Sequence, residues 1–163
     1  IISRIRKNQS RYQAVADTVN PAIPWFFIAA IHSLESSLRF TVHLHNGDPL
    51  TNKTVHVPKN RPVSGTPPFT WEESAADALV YEGCHNKTDW TLPRLLYNME
   101  SYNGWGYRLY HPKVKSPYLW SYSNQYQKGK YVADGTWDKD AVSAQCGGAV
   151  LLKRMEERGI IIV

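Results

Sequence analysis

The chain has 163 residues, of which 42% are hydrophobic and 20% are charged, and a formal net charge of +5. This balance is typical of a folded globular protein and excludes wholesale disorder. The longest apolar run, residues 23–31, contains Pro24 and is far shorter than the roughly 20 residues that a membrane span requires. We therefore expect one domain over residues 1–163 that acts as a monomer and has no membrane partner.

The basic residues do not cluster as they do in nucleic-acid-binding proteins. The densest group is Arg4, Arg6 and Lys7, and no nucleic-acid motif is present, so a nucleic-acid partner is not expected. Six Trp and ten Tyr accompany the positive charge, and a basic, aromatic surface suits a sugar polymer or another polyanion. Cys84 and Cys146 could form a disulfide or remain free thiols, and both alternatives stay open.

The first third of the chain predicts two helices. Residues 10–19 carry apolar side chains at helical spacing, and Asn20-Pro21 ends this segment. A second helix begins near Pro24 and is apolar on every side through Ile31, which indicates a buried central helix. Polar side chains return at its end, and Glu35 is among them.

The next segment predicts a small hairpin followed by a third helix. Residues 40–45 alternate between apolar and polar, Asn46-Gly47-Asp48-Pro49 is a turn signal, and residues 54–57 form the return strand. Residues 58–69 are expected to be a loop. The sequence Thr-x-x-Glu at residues 70–73 is a capping box that opens a helix through Tyr81.

The second half predicts a helix at residues 92–102, loops with short helices at 103–135, and a last helix at 137–158 that Gly159 caps. Gly147-Gly148 within the last helix indicates close backbone packing. The predicted fold class is α+β, mainly α.

Glu35 is the strongest candidate for a catalytic group. Apolar surroundings and the partial negative charge of a helix C-terminus both raise the pKa of a carboxyl group, as a general acid requires. The alternative is a structural pair with Arg39 or with His32, which lie four residues after and three residues before it.

The segment Ala-Ala-Ile-His-Ser-Leu-Glu-Ser-Ser-Leu-Arg-Phe, residues 29–40, resembles the Glu-Ser block of the lysozyme-like superfamily. The likeness is to soluble lytic transglycosylases and goose-type lysozymes, and to bacterial and phage modules with a Glu-Ser-Ser and His-Asn-Gly-Asp-Pro pattern. The resemblance implies a lysozyme-like fold with a buried central helix and a small β-hairpin lobe, and it implies that Glu35 is the catalytic acid. Tyr102-Asn103 is similar to the Tyr-Asn pair of the transglycosylases, whereas their Gly-Leu-Met-Gln block is absent.

Asp48 is the candidate second carboxylate, because many glycosidases place two carboxylates across the scissile bond. Phage-type lysozymes are similar in having Glu, Asp and Thr in this order, which brings Thr54 into the candidate set. Asn-Gly-Asp-Pro is also ordinary turn chemistry, and without Asp48 an acid-only transglycosylase mechanism remains open. Glu72 and Glu73 are weaker candidates, since the capping box already explains Glu73.

Three histidines offer a different chemistry. His43 and His45 are two residues apart on the predicted strand and share one face, and His56 on the return strand could join them. With Asp48, these side chains could form a zinc site. Zinc leaves the Glu-Ser block unexplained, so we expect neither a metal nor a cofactor.

The aromatic, Gly- and Ser-containing stretch fits saccharide recognition, because rings stack on sugar faces and amides bond to hydroxyl and acetamido groups. Packing of some rings in the core is the alternative. The predicted substrate-binding residues are His45, Tyr102, Asn103, Trp105, Tyr107, Tyr122 and Asn124.

The resemblance to the lysozyme-like superfamily therefore implies a glycosidase that cleaves the β-1,4 bond between N-acetylmuramic acid and N-acetylglucosamine in peptidoglycan. It would act at the bacterial cell wall, although these residues contain no secretory leader. A chitinase or chitosanase and a non-catalytic wall-binding module are the alternatives.

Overall fold

A computed structural model describes residues 1–163, and helices dominate it. Eight α-helices and one antiparallel sheet of two strands give a mainly helical α+β structure, as predicted. The chain forms two compact units, Ile1–Trp90 and Thr91–Val163. None of the helices is long and apolar enough to cross a membrane.

The first unit contains four α-helices. They are α1 (Ile2–Lys7), α2 (Gln9–Val19), α3 (Trp25–Ser36) and α4 (Trp71–Tyr81), and a single 3-10 turn follows at Cys84–Asn86. The predictions for α2, α3 and α4 are confirmed, and α1 is an additional helix. Helix α2 packs against both α3 and α4, which gives this unit its core.

Helix α3 is the buried helix that the apolar run predicts. Nine of its twelve residues are buried. It ends because Ser37 and Leu38 both adopt left-handed backbone conformations, with φ of 54° and 60°. The N–H of Leu38 donates to the carbonyl of His32, and the Arg4 guanidinium donates to the carbonyl of Leu38 at 2.9 Å. These two hydrogen bonds hold the turn that follows α3 in place.

The predicted hairpin at residues 40–57 is wrong. Only an isolated bridge between Val42 and Pro49 forms there. The backbone groups that a return strand would pair are used elsewhere: the N–H of Thr54 donates to the carbonyl of Arg61, and the N–H groups of Val55 and His56 donate to the Asp48 carboxylate. Side-chain acceptors therefore replace strand pairing, and the segment is a folded loop. Residues 58–69 have no regular structure, as predicted.

The predicted capping box at the start of α4 is confirmed. The Thr70 hydroxyl accepts from the N–H of Glu73, and the Glu73 carboxylate accepts from the N–H of Thr70 at 2.7 Å. These bonds satisfy donors at the helix start that have no partner within the helix.

The second unit contains α5 (Leu92–Asn103), α6 (Gly106–Tyr110), α7 (Pro117–Trp120) and α8 (Gly148–Glu157). Helices α5, α7 and α8 pack against one another. The prediction for α5 is confirmed, and so are the short helices expected after it. Strands β1 (Lys130–Ala133) and β2 (Thr136–Asp138) form the sheet of the molecule, at a position where none was predicted.

The prediction of one helix over residues 137–158 is wrong for its first eleven residues. Trp137 pairs with Tyr131 in the sheet, and helix α8 begins only at Gly148. Gly147 lies so close to the chain at Leu119 that a β-carbon there would be 2.3 Å from the Leu119 carbonyl oxygen. The expected close packing is thus confirmed at Gly147, and the helix ends before Gly159, whose φ is 65°.

Both cysteines are free thiols. Cys84 is buried, and this burial raises its pKa to about 11. A thiol with a raised pKa is a weak nucleophile, so Cys84 acts as a small apolar core residue.

Candidate functional site

Glu35 lies in the last turn of α3 and is exposed, although the sequence predicts apolar surroundings for it. It is the only exposed residue and the only carboxylate of this helix. Its neighbours Leu34 and Ser36 are buried. The buried helix therefore holds one carboxylate at the surface on a backbone that packing fixes from both sides.

His32 is the buried polar residue that anchors this end of α3. Its Nε2 lies 3.1 Å from the Arg39 carbonyl oxygen, and its Nδ1 lies 3.1 Å from the Tyr12 hydroxyl. A carbonyl can only accept, so Nε2 carries the proton and Nδ1 accepts from Tyr12. Burial lowers the pKa of His32 to about 4, against the effect of the bond to Arg39. The ring is neutral at pH 7, and both of its nitrogens are directed to partners other than Glu35.

Asp48 is buried in the loop that replaces the hairpin. Its Oδ2 accepts from the N–H groups of Val55 and His56 at 2.8 and 3.0 Å, and its Oδ1 lies 2.6 Å from His56 Nδ1. Burial by itself raises the pKa of this carboxyl group, but the bonds from His56 and Val55 outweigh it and lower the pKa to about 2. Asp48 is therefore ionised at pH 7 and organises residues 55–56.

Thr54 is buried beside this loop, and its hydroxyl has two backbone partners. It donates to the carbonyl of Pro58 at 2.5 Å and accepts from the N–H of Arg61 at 2.9 Å. Together with the backbone bonds that join Thr54 to Arg61 and to Asn60, these contacts close residues 54–61 into a loop.

His45, predicted to bind substrate, has a fully buried side chain. Its Nε2 lies 2.8 Å from Asp77 Oδ2, and the same carboxylate oxygen lies 2.9 Å from Arg61 Nε. Burial lowers the pKa of His45, although Asp77 acts in the opposite direction. The position of this ring favours an internal contact between the loop and α4.

The histidines considered for zinc do not assemble around one point. His43 is buried, with Nδ1 2.8 Å from the Ser74 hydroxyl and Nε2 2.7 Å from the Asn52 carbonyl oxygen. His56 is mostly exposed and pairs with Asp48. No group of three or more His, Cys, Asp or Glu side chains is arranged to hold a metal ion.

In the second unit, two of the predicted substrate-binding residues line a cleft of about 490 Å³. We name it the tyrosine cleft after the rings of Tyr107, Tyr110, Tyr118 and Tyr131, and Asn103, Lys130, Asp134 and Gln145 are among its polar residues. Asn103 and Tyr107 are the two that the sequence identified. Rings and neutral polar groups in one groove are suited to a saccharide.

The other predicted residues of this unit lie outside the lining of the tyrosine cleft. Tyr102 is half-buried in the last turn of α5, and the Trp105 ring packs 4.8 Å from Tyr97. Tyr122 is exposed with φ of 69°, and its hydroxyl donates to the carbonyl of Ala144. Asn124 is exposed and accepts from the Gln125 side chain.

A second cleft of about 520 Å³ was not predicted from the sequence. We name it the basic cleft, because Arg108 and Lys115 are exposed in its lining. Its other polar residues include Glu100 and Ser116, and Leu96, Pro93 and Leu119 contribute apolar surface.

One part of the tyrosine cleft, the two-stranded sheet, was not predicted although its turn motif is visible in the sequence. Asp134-Gly135 separates two short segments rich in aromatic and β-branched residues, and Asp-Gly is a strong hairpin signal. Recognition of this signal would have predicted β1 and β2, and with them Lys130 and Tyr131 in the cleft. The basic cleft had no comparable signal, because its residues come from α5, α6, α7 and the loop before α7.

Comparison of the chain with protein-family models, with curated proteins and with solved structures finds no match.

Proposed function

We propose that this protein is a glycosidase of lysozyme-like architecture that cleaves an amino-sugar polymer, with peptidoglycan as the substrate and Glu35 as the general acid. The observation that carries the proposal is the single exposed carboxylate at the end of the buried helix α3. A proton donor must be held within hydrogen-bond reach of the leaving oxygen, and a carboxylate on a packed helix meets this need better than one on a loop.

In this mechanism Glu35 donates its proton to the glycosidic oxygen as the bond to the sugar C1 breaks. Positive charge then develops on the sugar ring, and an ionised carboxylate stabilises it. Asp48 is ionised, but its oxygens already accept three hydrogen bonds from Val55 and His56. This geometry favours a role for Asp48 and Thr54 as positioning residues that order the loop at 48–61.

The tyrosine cleft supports a saccharide substrate. Four tyrosine rings line it, and the side chains of Asn103 and Gln145 add amides to the lining. The net charge of +5 favours association with an anionic wall. Chitin and chitosan share the amino-sugar backbone and remain the alternative substrates.

A non-catalytic wall-binding module is the second candidate function. It is favoured by the tyrosine cleft itself, because a groove that binds a saccharide does not require a catalytic carboxylate. This candidate predicts binding to insoluble peptidoglycan without release of soluble fragments.

The test is the rate at which the protein releases soluble fragments from purified peptidoglycan. We expect Glu35→Gln to lower this rate at least about a hundredfold, because loss of a general acid removes this order of rate enhancement. Glu157→Gln is the matched control, since Glu157 is also an exposed glutamate in the last turn of a helix. Full activity of a folded Glu35→Gln variant would refute the proposal.

A further inference from the structure

Ser116 has a buried hydroxyl without a hydrogen-bond partner, and this residue lines the basic cleft. Its exposed fraction is only 3%. A buried hydroxyl that is left unpaired costs free energy, and such groups in folded proteins commonly mark a place that a ligand or water completes. The hydroxyl has almost no accessible surface in this structure, so a polar ligand in the cleft would meet it once the Ser116 side chain rotates.

The charges of the cleft indicate the sign of that ligand. Arg108 donates from Nε and Nη2 to one oxygen of the buried Glu100, at 2.9 and 2.6 Å, so one positive charge is balanced. Lys115 is exposed and has no ion pair, which leaves the lining with a net positive charge. Carboxylates are strongly bound by such ammonium and guanidinium groups.

The apolar part of the lining indicates that the ligand also has apolar groups. Leu96, Leu119 and Pro93 form apolar surface beside the charged groups. A short peptide with small aliphatic side chains and free carboxylates matches both surfaces, whereas a neutral sugar would not use the positive charge of Lys115.

The two clefts share one residue. Tyr107 lines both the tyrosine cleft and the basic cleft, so ligands bound in them would be neighbours. The charges of the tyrosine cleft are balanced, with Lys130 and Asp134, and those of the basic cleft are not. A saccharide groove next to a groove for anions matches a polymer whose sugars carry anionic peptide branches.

We propose that the basic cleft binds the anionic peptide branches of peptidoglycan, with Lys115 holding a carboxylate beside the Arg108–Glu100 pair and Ser116 completing the hydrogen bonding. This inference rests on the proposed function and narrows its substrate to peptide-bearing glycan. Bare chitin would fill only the tyrosine cleft.

The test is a titration of the isotope-labelled full chain with the tripeptide L-alanyl-γ-D-glutamyl-meso-diaminopimelate, followed by NMR. We expect the backbone signals of Arg108, Lys115 and Ser116 to shift. A tripeptide with all carboxylates amidated should bind about tenfold more weakly, as expected for the loss of a charge-assisted hydrogen bond.

Two variants separate binding from folding. Ser116→Ala removes a hydroxyl that has no partner, so its melting temperature should equal or exceed that of the wild type while tripeptide binding weakens about tenfold. Lys115→Ala should weaken binding similarly, and Lys113→Ala, at an exposed lysine outside the cleft lining, should not. Unchanged binding in Ser116→Ala and Lys115→Ala, or equal binding of the amidated tripeptide, would overturn the inference.

This readout does not require cleavage, so the inference and the proposed function can fail separately. Glu35→Gln should bind the tripeptide as the wild type does. Wall cleavage without tripeptide binding would refute only the peptide cleft. Tripeptide binding by a wild-type protein that cleaves no glycan would refute the glycosidase and support the peptide cleft.

Discussion

Replacement of Asp48 by Asn should remove a pH-dependent part of the stability. The carboxyl group has a pKa of about 2 instead of its ordinary value near 3.8, because the bonds from His56 and Val55 outweigh the effect of burial. A shift of this size corresponds to about 2.5 kcal/mol, at about 1.4 kcal/mol for each pKa unit. Since the folded-state pKa is lowered, this contribution is present above pH 3.8 and is lost as the pH falls toward 2.

An Asn side chain can still accept from the two backbone N–H groups, but it carries no charge and does not titrate. The difference in unfolding free energy between wild type and Asp48→Asn should therefore shrink by about 1 kcal/mol between pH 5 and pH 3. Urea unfolding followed by tryptophan fluorescence at both pH values measures this change, with Asp17→Asn as the control at an exposed aspartate of α2. A difference that does not vary with pH would refute the role assigned to the Asp48 hydrogen bonds.

Three further changes test individual contacts of the fold. Tyr12→Phe leaves Nδ1 of buried His32 without a donor and should lower the unfolding free energy by about 1–2 kcal/mol, and an unchanged urea midpoint would contradict this contact. Gly147→Ala places a β-carbon against the Leu119 carbonyl and should cost about 2 kcal/mol or more, so a thermal scan that shows no loss of melting temperature would argue against the close approach. Glu72→Gln breaks a two-point ion pair with Arg11 whose partners are about one-third exposed, so it should cost less than about 1 kcal/mol, and the cost should decrease with added salt.

Local sequence signals predicted those elements whose cause is local. The apolar run that begins near Pro24 predicted a buried helix because no face of it could be placed in water. Thr70 and Glu73 predicted the start of α4 because the capping bonds join residues only three apart.

The hairpin prediction was wrong because another hydrogen-bond acceptor competes with the partner strand for the backbone N–H groups. The alternation at residues 40–45 is compatible with a strand, but the Asp48 carboxylate takes the N–H groups of Val55 and His56. Nothing in the spacing shows that a side chain will replace a strand as the acceptor. The prediction for the last helix was wrong for a related reason. Trp137 pairs with Tyr131 across a turn that precedes the predicted helix.

The candidate site was predicted in part. Glu35 was identified from its place at the end of an apolar run, but its exposure was not, because that depends on what packs against α3. Asn103 and Tyr107 were identified as saccharide-binding candidates and do line a cleft. The unpaired hydroxyl of Ser116 could not be predicted, because only the fold shows that no partner reaches it.

Mass spectrometry of the new chain ends that the protein produces in purified peptidoglycan tests the central claim most directly. The proposed mechanism predicts new glycan ends, either reducing or anhydro sugars, in the wild-type digest and their loss with Glu35→Gln, while Glu157→Gln retains them. Identical glycan ends from wild type and a folded Glu35→Gln variant would contradict the assignment of Glu35. A wild-type digest without any new glycan end would contradict the glycosidase itself.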